Sequence, residues 1–159
     1  MKYAGAGSFQ RNRPLLSFAA GYAGRMADYS FRIATQDDIQ AITDIYNAAV
    51  IRGGSSADTT PRTYAQRKAW VESHHDPYAV FVTTVPATDA ATEGGERIIG
   101  FSALSVFYDR AGYDGVTDLA YYIAPEWQGR GAGTFTLARL LDECLSLIHI
   151  SEPTRPISI

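Results

Sequence analysis

Apolar and polar residues alternate over Ser30–Ala34, which predicts a short strand with Phe31 and Ile33 on one face. The period then changes, because apolar residues after Asp38 recur every three or four positions, as they do in an amphipathic helix. Thr35 is expected to cap this helix, and Asp38 completes a capping-box pattern. The patterned region therefore begins with a strand that is followed directly by a helix.

The first predicted helix is expected to end near Ile51, where a Gly-Gly-Ser-Ser run breaks the periodicity. A second helix is predicted to begin at Thr63, where Gln66 occupies the reciprocal position of a capping box. It is expected to pass through Trp70 and to end at about Ser73. The apolar stripe of the first helix consists of Ile39, Ile42, Ile45, Tyr46 and Ala49.

Three further strands and one helix are predicted from the remaining pattern. Tyr78–Val85 and Arg97–Phe107 are rich in β-branched and aromatic residues, and the polar loop Pro86–Glu96 between them makes an antiparallel hairpin the expected pairing. Val116–Ile123 predicts a fourth strand, and Gly131–Cys144 predicts a helix with an apolar face. The order β-α-α-β-β-β-α predicts an α+β fold with a mostly antiparallel sheet and flanking helices.

The two ends of the chain do not share this pattern. Residues 1–25 are basic, contain no acid and are rich in Gly and Ala, so we expect an extension outside the domain, with Met26 as the true start and a transit peptide as the alternative. Residues 145–155 match a translated transposase sequencing adapter, so 145–159 is expected to be an adapter-derived tail, with a native helix end as the alternative. The expected domain is 26–144.

Composition and charge exclude several classes of protein. With 46% hydrophobic and 19% charged residues over 159 positions, one soluble globular domain is expected. The whole chain has a net charge of −3, but the expected domain, 26–144, holds 9 basic and 16 acidic side chains and has a net charge of −7. An acidic domain argues against a nucleic-acid partner. No apolar run approaches the roughly 18–20 residues of a membrane span. Cys144 is the single cysteine, which excludes an internal disulfide and favours a cytoplasmic setting.

Three potential metal ligands, His74, His75 and Asp76, are adjacent in the sequence. Neighbouring residues on a helix point in different directions, and Asp76 is followed by a proline, as in a turn. A solvated helix end is therefore the expected structure here, and no metal site is predicted.

The strongest candidate site is the glycine-rich segment Gln128–Gly133, which lies between the fourth strand and the last helix. Glycines let the backbone direct several N–H groups toward one point, and the following helix adds unpaired donors and the positive end of its dipole. Such a turn suits a pyrophosphate, to which Arg130 could add a charge. The glycine spacing is not that of a dinucleotide-binding fold, and a P-loop lysine is absent.

This segment resembles the Gln/Arg-x-x-Gly-x-Gly/Ala motif of the GNAT superfamily of N-acetyltransferases. The similarity covers about residues 30–144 and extends to the phosphinothricin-acetyltransferase-like branch. The residues that carry it are Gln128, Gly131 and Gly133 of the motif, together with Ile45–Val50, Arg67–Trp70 and Arg110–Tyr113.

The resemblance implies the acyl-CoA N-acyltransferase fold, with acetyl-CoA as cosubstrate and no metal. It implies that the primary amine of a small molecule, such as an amino-acid analogue, attacks the thioester directly, with a backbone N–H near Tyr122–Ile123 facing the oxyanion. Where the branch carries a glutamate base, this sequence has Asp118, which is one methylene shorter. The implied cofactor contacts are Tyr121, Tyr122, Ile123, Gln128, Gly129, Arg130, Gly131, Ala132, Gly133 and Thr134.

Members of this superfamily continue past the helix with further strands, so the C-terminal half of the fold is expected to be missing. The chain itself is then expected to be inactive, whereas the full-length parent could form a homodimer. Two alternatives stay open: a non-catalytic acyl-CoA-binding or regulatory domain, because Asp118 replaces the glutamate, and a protein N-acetyltransferase. Tyr108 and Tyr113 could line the acceptor pocket, although ordinary loop packing explains them equally well.

Overall fold

The computed structural model describes residues 29–87, 95–113 and 116–150. Its four strands form one antiparallel sheet in the order β1-β2-β3-β4, so each strand pairs with the next one along the chain. Short 3-10 turns precede α1, β4 and α3. The elements are β1 (Ser30–Ile33), α1 (Ile39–Arg52), α2 (Tyr64–Glu72), β2 (Val80–Pro86), β3 (Glu96–Val106), β4 (Thr117–Ile123) and α3 (Ala132–Ile150).

The predicted α+β order is confirmed, and the starts and ends of β1 to β4, α1 and α2 lie within two residues of their expected positions. The last helix differs, because α3 continues for six residues beyond the expected end at Cys144. The expected extension 1–25, the proposed start at Met26 and residues 151–159 of the expected tail lie outside the described residues. So do residues 88–94 of the expected hairpin loop.

Helices cover both faces of the sheet. On one face, α1 and α2 pack against alternate residues of β2, β3 and β4. On the other face, Leu140 of α3 packs against Phe81 and Leu104, and the buried hydroxyls of Thr83 and Thr136 lie 2.7 Å apart. The core of the first face comprises Ile42, Ile45, Tyr46, Val50, Val80, Val82, Phe101, Ala103 and Ala124. No helix in the described ranges is both long enough and apolar enough to cross a membrane.

The first strand behaves only partly as its alternation predicts. Phe31 stacks on Phe81 with ring centroids 5.0 Å apart, and it joins the core beneath α3. Ile33, which was expected to share that environment, is 63% exposed. The difference arises because β1 is an edge strand and Ile33 is its last residue.

An ion-pair network fixes β1 to the start of α1. Arg32 donates to both carboxylate oxygens of Asp38, at 2.6 and 2.9 Å, and its Nε donates to Glu96 of β3 at 2.6 Å. The Thr35 N–H also donates to Asp38, at 2.6 Å, as the capping box predicts. Burial acts to raise the pKa of Asp38, but the hydrogen bonds from Arg32 and Thr35 outweigh it and hold this pKa below its usual value.

We expect Asp38→Asn to lower the free energy of unfolding at neutral pH by about 2–3 kcal/mol, because it leaves Arg32 without its buried partner. A depressed folded-state pKa stabilises the fold above the unfolded value of about 3.9, and this contribution is lost as the pH falls through the folded value. The acid-induced loss of stability below about pH 4 should therefore be shallower in the variant than in the wild type. Urea unfolding between pH 2 and 7 measures both effects. Asp37→Asn is the matched control, since Asp37 is exposed; equal losses in the two variants would contradict the assignment.

Candidate functional site

The site predicted from the glycine segment lies where β4 ends and α3 begins. β4 is the last strand of the sheet, and its far edge pairs with no other strand in the described ranges. At its carboxyl end, Ile123 lies opposite Gly100 of β3. A Cβ at Gly100 would lie 2.6 Å from Ile123 Cδ1 and 2.9 Å from the Tyr122 carbonyl oxygen, so a glycine is required for this close approach. A glycine within a strand pattern is the sequence signal for such an approach.

The glycine segment folds as its sequence predicts. After a 3-10 turn at Pro125–Trp127, Gly129 and Gly131 adopt φ angles of 72° and 92°, a region that other residues rarely enter. Phe135 donates the first helical hydrogen bond to the Gly131 carbonyl at 3.0 Å. The N–H groups of Ala132, Gly133 and Thr134 precede that bond, so they have no partner within the helix. These amides form the donor set expected of an anion site.

Gln128, the first residue of the motif, fastens this turn to the rest of the fold. Its Nε2 donates to the Ile123 carbonyl at 3.0 Å, and its Oε1 accepts from Arg52 of α1 at 2.8 Å. The side chain therefore links the end of β4, the glycine turn and α1. The sequence predicted that Gln128 belongs to the site, but not that it holds the turn in place.

The other predicted turn residues divide into backbone contributors and packing residues. The backbone carbonyl of Arg130 accepts a hydrogen bond from the Tyr29 hydroxyl at 2.9 Å. The guanidinium of Arg130 lies 5.2 Å from the centre of the Trp127 ring. Ala132 is fully buried, so only its backbone is available to a ligand. Gly133 faces β4, since a Cβ there would lie 3.7 Å from the Tyr121 ring. Thr134 is exposed at the start of α3.

The aromatic residues of β4 point to opposite faces of the sheet. Tyr121 lies on the α3 side and is 44% exposed. Tyr122 lies on the opposite side, stacked on Phe101 with centroids 5.2 Å apart and edge-on to Tyr46, also at 5.2 Å. Burial raises the pKa of Tyr122 above its usual value, and the proximity of Tyr46 acts in the same direction. The phenol of Tyr122 is therefore part of the packing between β4 and α1.

A polar cluster that the sequence did not predict surrounds Tyr46. Its hydroxyl donates to Asp58 at 2.6 Å and lies 2.8 Å from the Ser56 hydroxyl. The Arg67 guanidinium lies 3.8 Å from the centre of the Tyr46 ring, although Arg67 is only 6% exposed. The hydrogen bond from Arg62 lowers the pKa of Asp58, with a further contribution from Tyr46. The residues between α1 and α2 carry no periodicity, so no local pattern predicts this cluster.

Asp118 is exposed on β4 and lies opposite Ser105 of β3. Directly opposed residues of an antiparallel pair share a face, so Asp118 lies on the same face as Tyr122. The Ser105 hydroxyl lies 2.9 Å from Nε2 of His74. The expected solvated helix end is correct for His75, which is exposed, whereas His74 is partly buried and bonded through both ring nitrogens. Within the described residues, no cluster of His, Cys, Asp and Glu could hold a metal ion.

Tyr108 and Tyr113, the two loop tyrosines before β4, are 53% and 44% exposed. Their rings contact each other at a centroid distance of 5.6 Å. The Arg110 guanidinium lies 5.3 Å from the centre of the Tyr108 ring. Both tyrosines thus form a small exposed cluster, and their contribution to an acceptor pocket stays a prediction.

Comparison with known proteins identifies a consistent set of relatives. Residues 39–153 match the acetyltransferase (GNAT) family. An N-acetyltransferase of Streptomyces griseus is 31% identical over 118 residues, or 73% of this chain and 59% of its own length. A phosphinothricin N-acetyltransferase of Streptomyces coelicolor is also 31% identical, over 73% of this chain and 65% of its own length. The chain thus spans roughly three fifths of the length of these curated relatives.

A solved structure supports the same fold. The phosphinothricin acetyltransferase from Sinorhizobium meliloti, in complex with acetyl-CoA, superposes with a TM-score of 0.61 and 27% sequence identity. The alignment covers 75% of this chain and 60% of that structure.

We expect Gly131→Ala to lower the free energy of unfolding by about 1–2 kcal/mol, because alanine is strained at positive φ. A Cβ at this position would meet nothing within 4 Å, so the cost would come from the backbone alone. Gly112→Ala is the matched control, since a Cβ there also meets nothing within 4 Å and Gly112 has no positive φ. Chemical denaturation of both variants checks the prediction, and an unaffected Gly131→Ala would contradict it.

Proposed function

The chain belongs to the acetyltransferase (GNAT) family, and on this basis we propose that its domain transfers an acetyl group from acetyl-CoA to the primary amine of a small molecule. The observation that carries the proposal is the turn from β4 to α3, where two positive-φ glycines precede the unpaired amides of a helix start. The proposed acceptor is an amino-acid analogue, because one relative bears the name phosphinothricin N-acetyltransferase.

The cofactor's pyrophosphate is assigned to the backbone N–H groups of Gly129–Thr134. Three features support this assignment: the positive φ angles, the dipole of α3 and the exposed position of Thr134. The pantetheine arm is assigned to Tyr121–Ile123, on the edge of β4 that pairs with no other strand in the described part of the chain, where the arm would continue the sheet as a strand does. Gln128 then acts indirectly, by fixing the distance between the strand end and the turn.

The proposed chemistry is direct attack. The neutral amine adds to the thioester carbonyl, and a backbone N–H near Tyr122–Ile123 stabilises the oxyanion as it forms. Asp118 is assigned the role of base that removes the ammonium proton. It precedes Tyr122 by four extended residues, or about 13 Å along the strand. One water molecule spans only about 5.5 Å, so several water molecules in a row are needed between the carboxylate and an amine near Tyr122.

We expect Gln128→Ala to weaken acetyl-CoA binding about tenfold with little change in stability, because the side chain positions the turn while being exposed itself. Gln40→Ala is the matched control, since Gln40 is exposed and hydrogen-bonds to Asp44 on the same helix. Isothermal titration calorimetry with acetyl-CoA measures the affinity. Equal affinities for wild type and Gln128→Ala would contradict the assignment.

We expect Asp118→Asn to lower kcat/KM for the amine by about 10- to 100-fold while leaving acetyl-CoA binding unchanged, because the base acts only in the chemical step. Asp142→Asn, an exposed carboxylate of α3, is the control and should retain full activity. Release of free CoA is followed across a panel of amino acids and their analogues. The assay compares the 159-residue chain with the same domain extended to the length of its curated relatives, of which this chain spans roughly three fifths.

The possible outcomes of the transfer assay distinguish the candidate functions. Transfer to an amino-acid analogue that depends on Asp118 supports the proposal. Acetyl-CoA binding by the extended protein without transfer to any amine would instead favour a non-catalytic acyl-CoA-binding domain. Transfer to peptide N-termini alone would favour a protein N-acetyltransferase.

A further inference from the structure

The charge of the domain is opposed to that of the proposed cofactor. Residues 26–144 hold 9 basic and 16 acidic side chains, and acetyl-CoA carries several negatively charged phosphate groups. An acidic domain repels such a ligand at long range, so binding depends on basic side chains at the site itself. The basic side chains near the glycine turn are therefore the ones to consider.

Most basic side chains of the domain are bonded elsewhere. Four of the nine form ion pairs with carboxylates: Arg32, Arg62, Lys68 and Arg97. Arg67 is only 6% exposed. Arg110 lies in the loop before β4, and Arg139 lies about two turns past the start of α3. Within the part of the chain that the structure describes, this leaves Arg52 and Arg130 at the glycine turn.

Arg52 reaches the turn from a different element. It is the last residue of α1, and its Nη1 donates to Oε1 of Gln128 at 2.8 Å. The same amide donates through Nε2 to the Ile123 carbonyl at 3.0 Å. One amide group and two hydrogen bonds thus connect the guanidinium to the end of β4. Arg52 therefore lies at the junction between the strand edge assigned to pantetheine and the turn assigned to the pyrophosphate.

The guanidinium of Arg52 has further donors available to a ligand. The bond to Gln128 uses one of its N–H groups, and Arg52 forms no ion pair with any carboxylate in the described ranges. Arg52, Gln128 and Gly129 are all exposed, so a ligand can approach them from solvent. A planar guanidinium with parallel N–H groups matches the oxygens of a phosphate and forms charge-assisted hydrogen bonds with them.

We propose that Arg52 is a pyrophosphate-binding residue of the acetyl-CoA site. The bond to Gln128 orients the guanidinium, and its remaining N–H groups donate to the pyrophosphate, to which the amides of Gly129–Thr134 donate from the turn. The inference rests on the proposed function, because it takes the turn as the site of the cofactor's pyrophosphate. Arg52 binds the cofactor in this arrangement and takes no part in the chemical step.

The first test compares acetyl-CoA affinities by titration calorimetry at low ionic strength. We expect Arg52→Gln to weaken binding about 5- to 10-fold, because a charge-assisted bond to a phosphate is lost. Arg52→Lys keeps the charge and is expected to stay within about threefold of the wild type. Lys68→Gln is the matched control, since it removes one positive charge from a side chain that is 42% exposed and paired with Glu72 on the same helix. Equal losses in Arg52→Gln and Lys68→Gln, or no loss in Arg52→Gln, would overturn the proposal.

Cofactor analogues identify the part of acetyl-CoA that Arg52 contacts. Acetyl-dephospho-CoA lacks the 3′-phosphate and retains the pyrophosphate, whereas S-acetylpantetheine lacks both. We expect Arg52→Gln to weaken binding of the first analogue as much as that of acetyl-CoA and to leave binding of the second unchanged. A loss confined to acetyl-CoA would assign Arg52 to the 3′-phosphate, and a loss with S-acetylpantetheine would assign it to the strand edge. Either result would overturn the proposal.

A direct contact with the phosphate differs measurably from a role through Gln128 alone. Salt screens exposed charges, so the ratio of the dissociation constants of Arg52→Gln and wild type should fall from about 5–10 in dilute buffer to about 2–3 in concentrated salt. In the Gln128→Ala background, Arg52→Gln should still weaken binding about threefold, because the charge acts on the phosphate itself. A ratio that does not change with salt, or a double variant equal to Gln128→Ala, would identify support of Gln128 only and overturn the direct contact.

These outcomes keep the inference apart from the proposed function. An active enzyme whose acetyl-CoA affinity is unchanged by Arg52→Gln would overturn the inference and leave the proposed function intact. Binding that depends on Arg52, in an extended protein that transfers no acetyl group to any amine, would support the inference and overturn the transfer reaction. An extended protein that binds no acetyl-CoA would overturn both. Circular dichroism of every variant confirms that the fold is unchanged before affinities are compared.

Discussion

The candidate site depends on how closely β3 and β4 approach each other at Gly100. Because no side chain intervenes there, the carboxyl end of β4 can lie flat against β3, and Ile123 is fixed in the sheet rather than in a loop. The Gln128 side chain can then hydrogen-bond to both the Ile123 carbonyl and Arg52, and these two bonds determine where the glycine turn begins. The position of the turn determines where α3 begins at Ala132. The amides assigned to the pyrophosphate are therefore positioned by the close approach of β3 and β4 at Gly100.

The face of the sheet opposite α3 is organised around a buried cation. Arg67 is only 6% exposed, and its Nε has no hydrogen-bond partner among the described residues. Burial lowers the pKa of its guanidinium, while the rings of Tyr46 and Trp70, at 3.8 and 4.6 Å, offset part of that desolvation. Tyr46 is in turn edge-on to Tyr122. The Arg67 guanidinium therefore contacts the aromatic rings of Tyr46 and Trp70, and Tyr46 in turn packs against Tyr122 of β4.

The sequence predicted the structural features that depend on periodicity or on neighbouring residues. It did not predict the hydrogen bonds between residues that are far apart in the chain. The capping boxes at Thr35 and Thr63, the hairpin of β2 and β3 and the glycine turn all follow from neighbouring residues. By contrast, the bond from Gln128 to Arg52 joins positions 76 residues apart. The bond from His74 to Ser105 joins positions 31 residues apart. No periodicity reports such contacts, because they depend on how whole elements pack rather than on any local preference.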